Sequence, residues 1–385
     1  MSMTRKPGLD VLVAPTAAAT LSEAAPFDGA TLAAIAETLS EGESANTRAS
    51  YASALRYWMA WWELRIAPRR GIERAFDPDL DLPFPPGVIV QFIVDHARRR
   101  TQDSTLQHEL PADIDRQLVA AGVKGKSGAM SLNTLKHRLA ACARLHRTKS
   151  RESPTDHEDV RRLMKAVRAG HAQRHERPKG KAPLLAEHMQ KLLATCDTSP
   201  QGVRDRALLL FAFASGGRRR SEVAQADMSN LLPSGKGFRY FLGYSKTNRT
   251  GEETEDSYKP VQGQAAEAMR AWLALLAAAG IKDGAIFRRV RGRKIDPAPL
   301  SDRSVWNIVA TRCAAAGLEG DFSAHSLRAG FMTEAVKKVD IREAMKFSGH
   351  TDVKTAMTYV RGLDMERSAA ARLLDPEDGP AGECS

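Results

Sequence analysis

His325-Ser326-Leu327-Arg328, then Gly349-His350 and, nine residues later, Tyr359 form the stretch that decides how the rest of this chain reads. A His and an Arg three residues apart occupy one helix face. A spaced His and Tyr follow. Together these groups are what phosphoryl transfer without a metal needs: cations and hydrogen-bonding rings to hold a phosphate, and a hydroxyl to attack it. The His-x-x-Arg pair alone says little, because it recurs at His96/Arg99 and His171/Arg174. The copy at 325 differs in its company.

Length and composition set the frame. A chain of 385 residues has room for two domains, each with its own core. Its 43% hydrophobic and 27% charged residues are ordinary for a globular protein. No apolar run approaches the roughly 18 residues of a membrane span, so no membrane partner is expected. Arg5 and Lys6 precede an alanine-rich stretch, but Pro15 and Glu23 interrupt it, which speaks against a secretory signal. Cys142, Cys196, Cys313 and Cys384 form no C-x-x-C pair. That argues against a zinc site and a disulfide framework and fits a reducing cytoplasm. With no clustered Asp/His set either, the expected chemistry uses no metal and no cofactor.

The net charge is +11, and its distribution is uneven. Residues 1–44 carry −4 and residues 375–385 carry −4, which leaves +19 on residues 45–374. A basic body between acidic ends points toward a polyanion, with nucleic acid the foremost choice.

Hydrophobic periodicity gives the organisation. Residues 1–44, rich in Ala, Thr, Ser and Glu, read as a flexible arm with one short helix near Leu32–Leu39. Tyr51, Leu55, Trp58 and Trp62 then recur at helical spacing after Ser44 and Asn46. Pro78, Pro83, Pro85 and Pro86 force a loop that opens a helix through Val88, Val90, Phe92 and Ile93. Ser131 can cap a helix carrying Leu135, Leu139, Cys142 and Leu145, with a basic edge that includes Lys136, Arg138, Arg144, Arg147 and Lys149. A last helix is expected from Glu158 to Gly170, so residues 45–175 read as an all-helical unit. The charged, proline-punctuated stretch 176–184, with Lys179 and Lys181, reads as a linker basic enough to lie on DNA. In the second unit, helix 185–196 leads to Arg204-Asp205-Arg206 and an apolar helix 207–214, broken at Gly216-Gly217. Phe238–Tyr244 and Tyr258–Val261 have strand composition, separated by the turn signal Asn248-Arg249-Thr250-Gly251. Helices are expected at 263–279, 301–316, 326–338, 341–347, 351–359 and 364–374.

In this setting residues 201–362 resemble the catalytic domain of the tyrosine recombinase (phage integrase-like) family. The helical unit resembles that family's core-binding domain, with Thr47-x-x-x-Tyr51-x-x-x-Leu55 as its opening. The resemblance implies a mainly α (α+β) chain: a helical core-binding domain at 45–175, then a mostly helical catalytic domain at 185–375 with a small antiparallel sheet, and an acidic tail at 376–385.

The family's first motif places a Gly, one residue, a catalytic Arg and an acidic residue three further on. Gly217-Arg218-Arg219-Arg220-Ser221-Glu222 fits it with Arg219 as that Arg and Glu222 in support. The neighbouring Arg218 and Arg220 then read as bystanders. Gly349-His350 and Tyr359 match the family's Gly-His and its nucleophile, while Ser348 stands where leucine is usual. The family draws the leaving group's proton from a lysine in a β-hairpin turn. Lys246 matches that position, with Lys259 on the partner strand as the alternative. The implied catalytic set is Arg219, Lys246, His325, Arg328, His350 and Tyr359, with DNA contacts from Arg138, Arg144, Arg147, Lys149, Lys179 and Lys181.

The implied activity is site-specific cutting and rejoining of double-stranded DNA through a 3′-phosphotyrosyl link, without metal or ATP. The implied assembly is a tetramer on DNA, and the place a cytoplasmic nucleoid. Helix 364–374 would dock either on its own domain or on a neighbouring subunit. A catalytically idle DNA-binding protein and a type IB topoisomerase-like strand cleaver share parts of this pattern. The complete residue set counts against the first, and the leading helical unit with the Gly-His form counts against the second.

Overall fold

A computed structural model describes residues 30–31, 34, 37–38, 41–176, 182–243 and 253–360. The chain divides into two compact units between Pro178 and Lys179.

In the first unit, α1 (Ala45–Trp61) starts where Ser44 accepts a hydrogen bond from the Thr47 amide at 3.1 Å. It continues as a π-helical turn, Trp62–Ile66. After the short α2 (Pro78–Asp81) come α3 (Pro86–His96), the hairpin β1 (Arg99–Arg100) and β2 (Leu106–Gln107), α4 (Ala112–Ala120), α5 (Leu132–Thr148) and α6 (Glu158–Gln173). Ser131 caps α5 as its position predicts, accepting from the Thr134 amide. The expected all-helical unit therefore needs one correction. Two short, exposed strands, the first of them two arginines, pair antiparallel here, and with no alternating apolar face they carry no signal in sequence.

The aromatic spacing of α1 explains this core. Leu55, Trp58, Trp61 and Trp62 are all buried. Trp58 stacks on Phe92 with ring centroids 3.7 Å apart, and Trp62 stacks on Phe84 at 4.7 Å. The Trp58 indole N–H is satisfied by the Arg138 carbonyl at 2.8 Å. Trp58→Ala would empty this stack, and a loss of about 3–5 kcal/mol is expected in urea unfolding followed by circular dichroism.

The second unit runs α7 (Ala186–Ala194), α8 (Pro200–Ala214), α9 (Arg220–Ala224), β3 (Leu231–Ser234), β4 (Gly237–Phe241), β5 (Tyr258–Val261), α10 (Gln264–Ala278), β6 (Arg288–Arg291), β7 (Lys294–Pro299), α11 (Asp302–Ala315), α12 (Ala324–Ala335), α13 (Ile341–Ser348) and α14 (Val353–Val360). Strands β3, β4 and β5 form an antiparallel sheet in that order, and β6 and β7 pair as a separate hairpin. The second hairpin lies outside the strands expected from sequence, since Arg288–Arg291 holds one apolar residue and gives no alternating pattern.

Helix α8 begins at Pro200, seven residues earlier than its apolar pattern suggests. Its first turns carry charge that is internally paired. Asp205 is buried and receives Arg204 from its own helix and Arg312 from α11, each at 2.6 Å. A polar stretch so paired continues a helix into the core.

Around Trp272, Phe211 and Phe287 the elements close into one core, with α8 packed along α10. Helix α12 packs against α8, α13 and α14, and α9 packs against α11. The end of α8 sets the site. Gly217 has φ +69°, and a Cβ there would lie 2.5 Å from the Arg328 Cα. Only a residue without a side chain lets the chain turn here and pass directly against α12.

Candidate active site

Arg219 is the N-cap of α9, and Glu222 one turn on closes the cap. The Glu222 carboxylate accepts the Arg219 backbone N–H at 3.0 Å and the Arg219 Nη1 at 2.5 Å. Burial works against the Glu222 charge, but Arg218 and Arg219 outweigh it and hold the carboxyl below its usual range. The acid is thus an anion that aims the Arg219 guanidinium.

Arg218 is not a solvated bystander. It is 1% exposed, and its Nη2 donates to the Phe347 carbonyl at 2.7 Å and the Gly216 carbonyl at 3.3 Å. It joins the break after α8 to the C-terminal end of α13. Lys259 on β5 reaches the same helix end from another side, with Nζ donating to the Lys346 carbonyl at 2.7 Å. Burial, aided by Arg218, pushes its ammonium down to about 8. Two buried cations therefore hold adjacent carbonyls at a helix C-terminus, where the helix dipole favours positive charge. Neither contact was foreseen, because both partners are backbone carbonyls.

Arg328 lies on α12 and is 3% exposed. Its Nε donates to His350 Nε2 at 3.2 Å and its Nη1 to the Gly217 carbonyl at 3.1 Å. Its Nη2 is buried and has no partner among the described residues. Burial, with Arg219 and Arg218 adding to it, pushes the guanidinium down to about 10, so it stays charged at neutral pH.

Ser323 caps α12 and places His325 in the first turn. His325 Nε2 sits 3.4 Å from the Tyr359 hydroxyl. Burial and then Arg328 and Arg219 lower the His325 pKa, which leaves the ring neutral and able to accept a proton. His350 is pushed down to about 4, by burial first and then by Arg328. Its ring lies 5.8 Å from that of Tyr359. Burial raises the Tyr359 pKa and Arg328 opposes it, so the phenol keeps its proton until a base takes it.

A cleft of roughly 210 Å³ opens between Arg219, Arg220, Trp306, Ser323, His325 and Arg328. Of the expected residues, Arg219, His325 and Arg328 line this cleft. Glu222, His350 and Tyr359 join it one contact further out, through Arg219, Arg328 and His325 in turn, although the six span 141 positions of sequence. Trp306 was missed, since a single Trp on an amphipathic helix reads as core. Lys246, the turn 248–251, Lys179, Lys181, helix 364–374 and the acidic tail lie outside the described residues.

The basic edge of α5 is more committed than its composition suggests. The Arg138 guanidinium lies 3.4 Å over the Tyr57 ring, with Nε and Nη1 buried. Arg144 is paired with Glu43 and Lys149 with Asp79, while Arg147 is exposed. Among the described residues no three His, Cys, Asp or Glu side chains gather as a metal site, and no helix is long and apolar enough to cross a membrane.

Residues 183–366 match the phage integrase family. An integrase/recombinase xerD homolog of Selenomonas ruminantium is 32% identical over 238 residues, which cover 59% of this chain and 68% of that protein. Tyrosine recombinase XerC of Actinobacillus pleuropneumoniae serotype 7 is 27% identical over 185 residues, covering 48% of this chain and 55% of the relative. The chain thus spans about two thirds of one relative's length and about half of the other's. The crystal structure of XerH site-specific recombinase bound to palindromic difH substrate, a post-cleavage complex, is similar in fold. It superposes with a TM-score of 0.54 at 14% identity and covers 95% of this chain and 94% of that one.

Proposed function

This chain belongs to the phage integrase family of tyrosine recombinases, and on that premise we propose that it is a site-specific recombinase that cuts and rejoins duplex DNA through a 3′-phosphotyrosyl intermediate. One observation carries this reading: Arg328, a buried, charged guanidinium whose Nη2 has no partner among the described residues, lines a cleft together with Arg219 and His325. A buried donor left unpaired is costly, and a phosphate oxygen satisfies it with opposite charge.

In the proposed reaction Arg219 and Arg328 hold the non-bridging oxygens of the scissile phosphate. The Tyr359 oxygen bonds to phosphorus as the bond from phosphorus to the 5′ oxygen breaks. The phenolic proton passes to the neutral His325 Nε2, which lies 3.4 Å from the hydroxyl. The departing 5′ oxygen takes a proton from Lys246, which matches the family's hairpin lysine. The phosphodiester energy is kept in the tyrosyl ester, so the reverse attack by a 5′ hydroxyl rejoins the strand without ATP. This chemistry calls for no metal or other cofactor.

Residues 45–175 would act as the core-binding domain and 185–375 as the catalytic domain, joined by the linker 176–184. Arg147 is the most available of the α5 cations for a phosphate, and Lys179 and Lys181 would add linker contacts. Four protomers on two sites would exchange strands in pairs, in a cytoplasmic, nucleoid-associated setting.

The test uses duplexes made from inverted repeats in the DNA flanking the gene, nicked so that cleavage releases a short fragment. A protein–DNA species that survives denaturation, with the DNA attached through its 3′ phosphate to the peptide carrying Tyr359, is expected. A 5′ linkage or a different attached residue would overturn the reading. Two such sites recombining, rather than supercoils merely relaxing, separates a recombinase from a topoisomerase.

The pH dependence follows from the same groups. A base must be unprotonated to act, and His325 is held below the ordinary histidine range. The single-turnover cleavage rate should therefore stay level as pH falls from 8 through 6.5, and decline only as pH passes below that. A decline already complete at pH 6.5 would exclude His325 as the acceptor.

A further inference from the structure

Ser348 stands where leucine is usual in the family, yet its side chain makes polar contacts that a leucine could not. It is the last residue of α13, 1% exposed, and its Oγ lies 2.7 Å from His350 Nδ1 and 3.2 Å from the Met345 carbonyl. The other ring nitrogen, His350 Nε2, faces Arg328 Nε at 3.2 Å. An arginine has only N–H donors, so Nε2 must present a lone pair to it. A neutral imidazole with its lone pair on Nε2 carries its proton on Nδ1. That N–H donates to Ser348 Oγ, whose own hydroxyl donates to the Met345 carbonyl.

The result is a directed chain of hydrogen bonds from Arg328 through His350 and Ser348 to the end of α13. Gly349, at φ +68°, turns the backbone so that the ring folds back beside the side chain two residues earlier. Arg218 on the Phe347 carbonyl and Lys259 on the Lys346 carbonyl hold that helix end in place.

We propose that Ser348 is a positioning residue, whose hydroxyl holds His350 in the Nδ1–H form and orientation and, through that ring, fixes the Arg328 guanidinium with Nη2 toward the cleft. This rests on the recombinase reading for its effect on rate, while the ring's protonation is independent of it. The chain orients the donor before DNA arrives, so less reorganisation remains for the transition state. Ser348→Ala removes the acceptor of a buried N–H and frees the ring to turn. One neutral hydrogen bond lost in this way corresponds to roughly a tenfold change.

The experiment has two arms on the full-length chain. In the first, nitrogen-15 NMR of histidine-labelled protein, with His350 assigned by its absence in His350→Gln, reads each ring nitrogen as N–H or lone pair. The wild type should show a protonated Nδ1 and an unprotonated Nε2 at pH 7, and the reverse overturns the proposal. In the second, cleavage of the nicked duplex is timed with saturating protein for the wild type, Ser348→Ala and Ser348→Thr, with DNA affinity measured separately. Ser348→Ala should cleave about tenfold more slowly at unchanged affinity, and Ser348→Thr, which keeps the hydroxyl, should recover most of the rate. An unchanged Ser348→Ala rate overturns the proposal, as does a loss confined to DNA affinity. If the wild type forms no Tyr359 adduct, the recombinase reading fails instead, and the NMR arm still decides the role of Ser348 at His350.

Discussion

Tyr359→Phe is expected to abolish the covalent protein–DNA adduct while leaving DNA affinity within about twofold. The substitution removes one oxygen, and under the proposed mechanism that oxygen forms the new bond to phosphorus. No neighbouring hydroxyl substitutes for it, because attack requires the oxygen in line with the departing one within a fraction of an ångström. The phenyl ring keeps its packing against the small cluster of Met332, Ala344 and Ala356. The hydroxyl's described contact is a 3.4 Å approach to His325, at the long limit of a hydrogen bond, so little stability should be lost with it. Denaturing gels of the nicked duplex read the adduct, and fluorescence anisotropy of the intact duplex reads affinity. Equal adduct yield from the variant would remove Tyr359 as nucleophile and, with it, the assigned chemistry.

Arg328→Lys is expected to lower the single-turnover cleavage rate by about 10²–10³, the usual cost of losing an aimed donor to a developing oxyanion. The charge is conserved in this substitution, which is why it is informative. Arg328 serves His350 and the Gly217 carbonyl with one rigid fork, and under the proposed mechanism its buried Nη2, without a partner among the described residues, serves the phosphate as a third. An ammonium on a flexible stem cannot hold all three. The Gly217 carbonyl would also lose its partner, so a stability loss of about 1–3 kcal/mol should accompany the rate effect. Measuring rate at saturating protein, together with thermal unfolding, separates the two. A variant that cleaves at the wild-type rate would show that charge alone is needed at this position.

Most of the elements were legible because their hydrophobic periodicity is strong. The Leu55–Trp58–Trp62 spacing, the Ser44 and Ser131 caps and the run of helices from 264 to 360 appear where the pattern places them. Misreadings fell where local signal and tertiary context diverge. The first turns of α8 look polar because Arg204 and Asp205 are charged, yet Arg312, more than a hundred residues away, completes their neutralisation. The hairpins β1–β2 and β6–β7 carry arginines on exposed faces and lack alternation. Arg144 and Lys149 looked like free cations, but each has a carboxylate partner distant in sequence.

At the site, the sequence by itself determined which residue types are present and in what order: a basic run with an acidic partner one turn on, His-x-x-Arg, Gly-His and a spaced tyrosine. These follow from short-range geometry, since helical spacing alone decides that Arg219 meets Glu222 and that His325 and Arg328 share a face. Only the tertiary structure decided what each polar atom faces. It turned Arg218 inward onto the Phe347 carbonyl, sent Lys259 to the end of α13, left Arg328 Nη2 without a partner among the described residues and set Ser348 against His350. The physical reason is that these partners are carbonyls and rings brought together by chain reversals at Gly217 and Gly349. A hydrogen bond depends on the position and direction of both its groups, and linear sequence specifies neither across more than a few turns of helix.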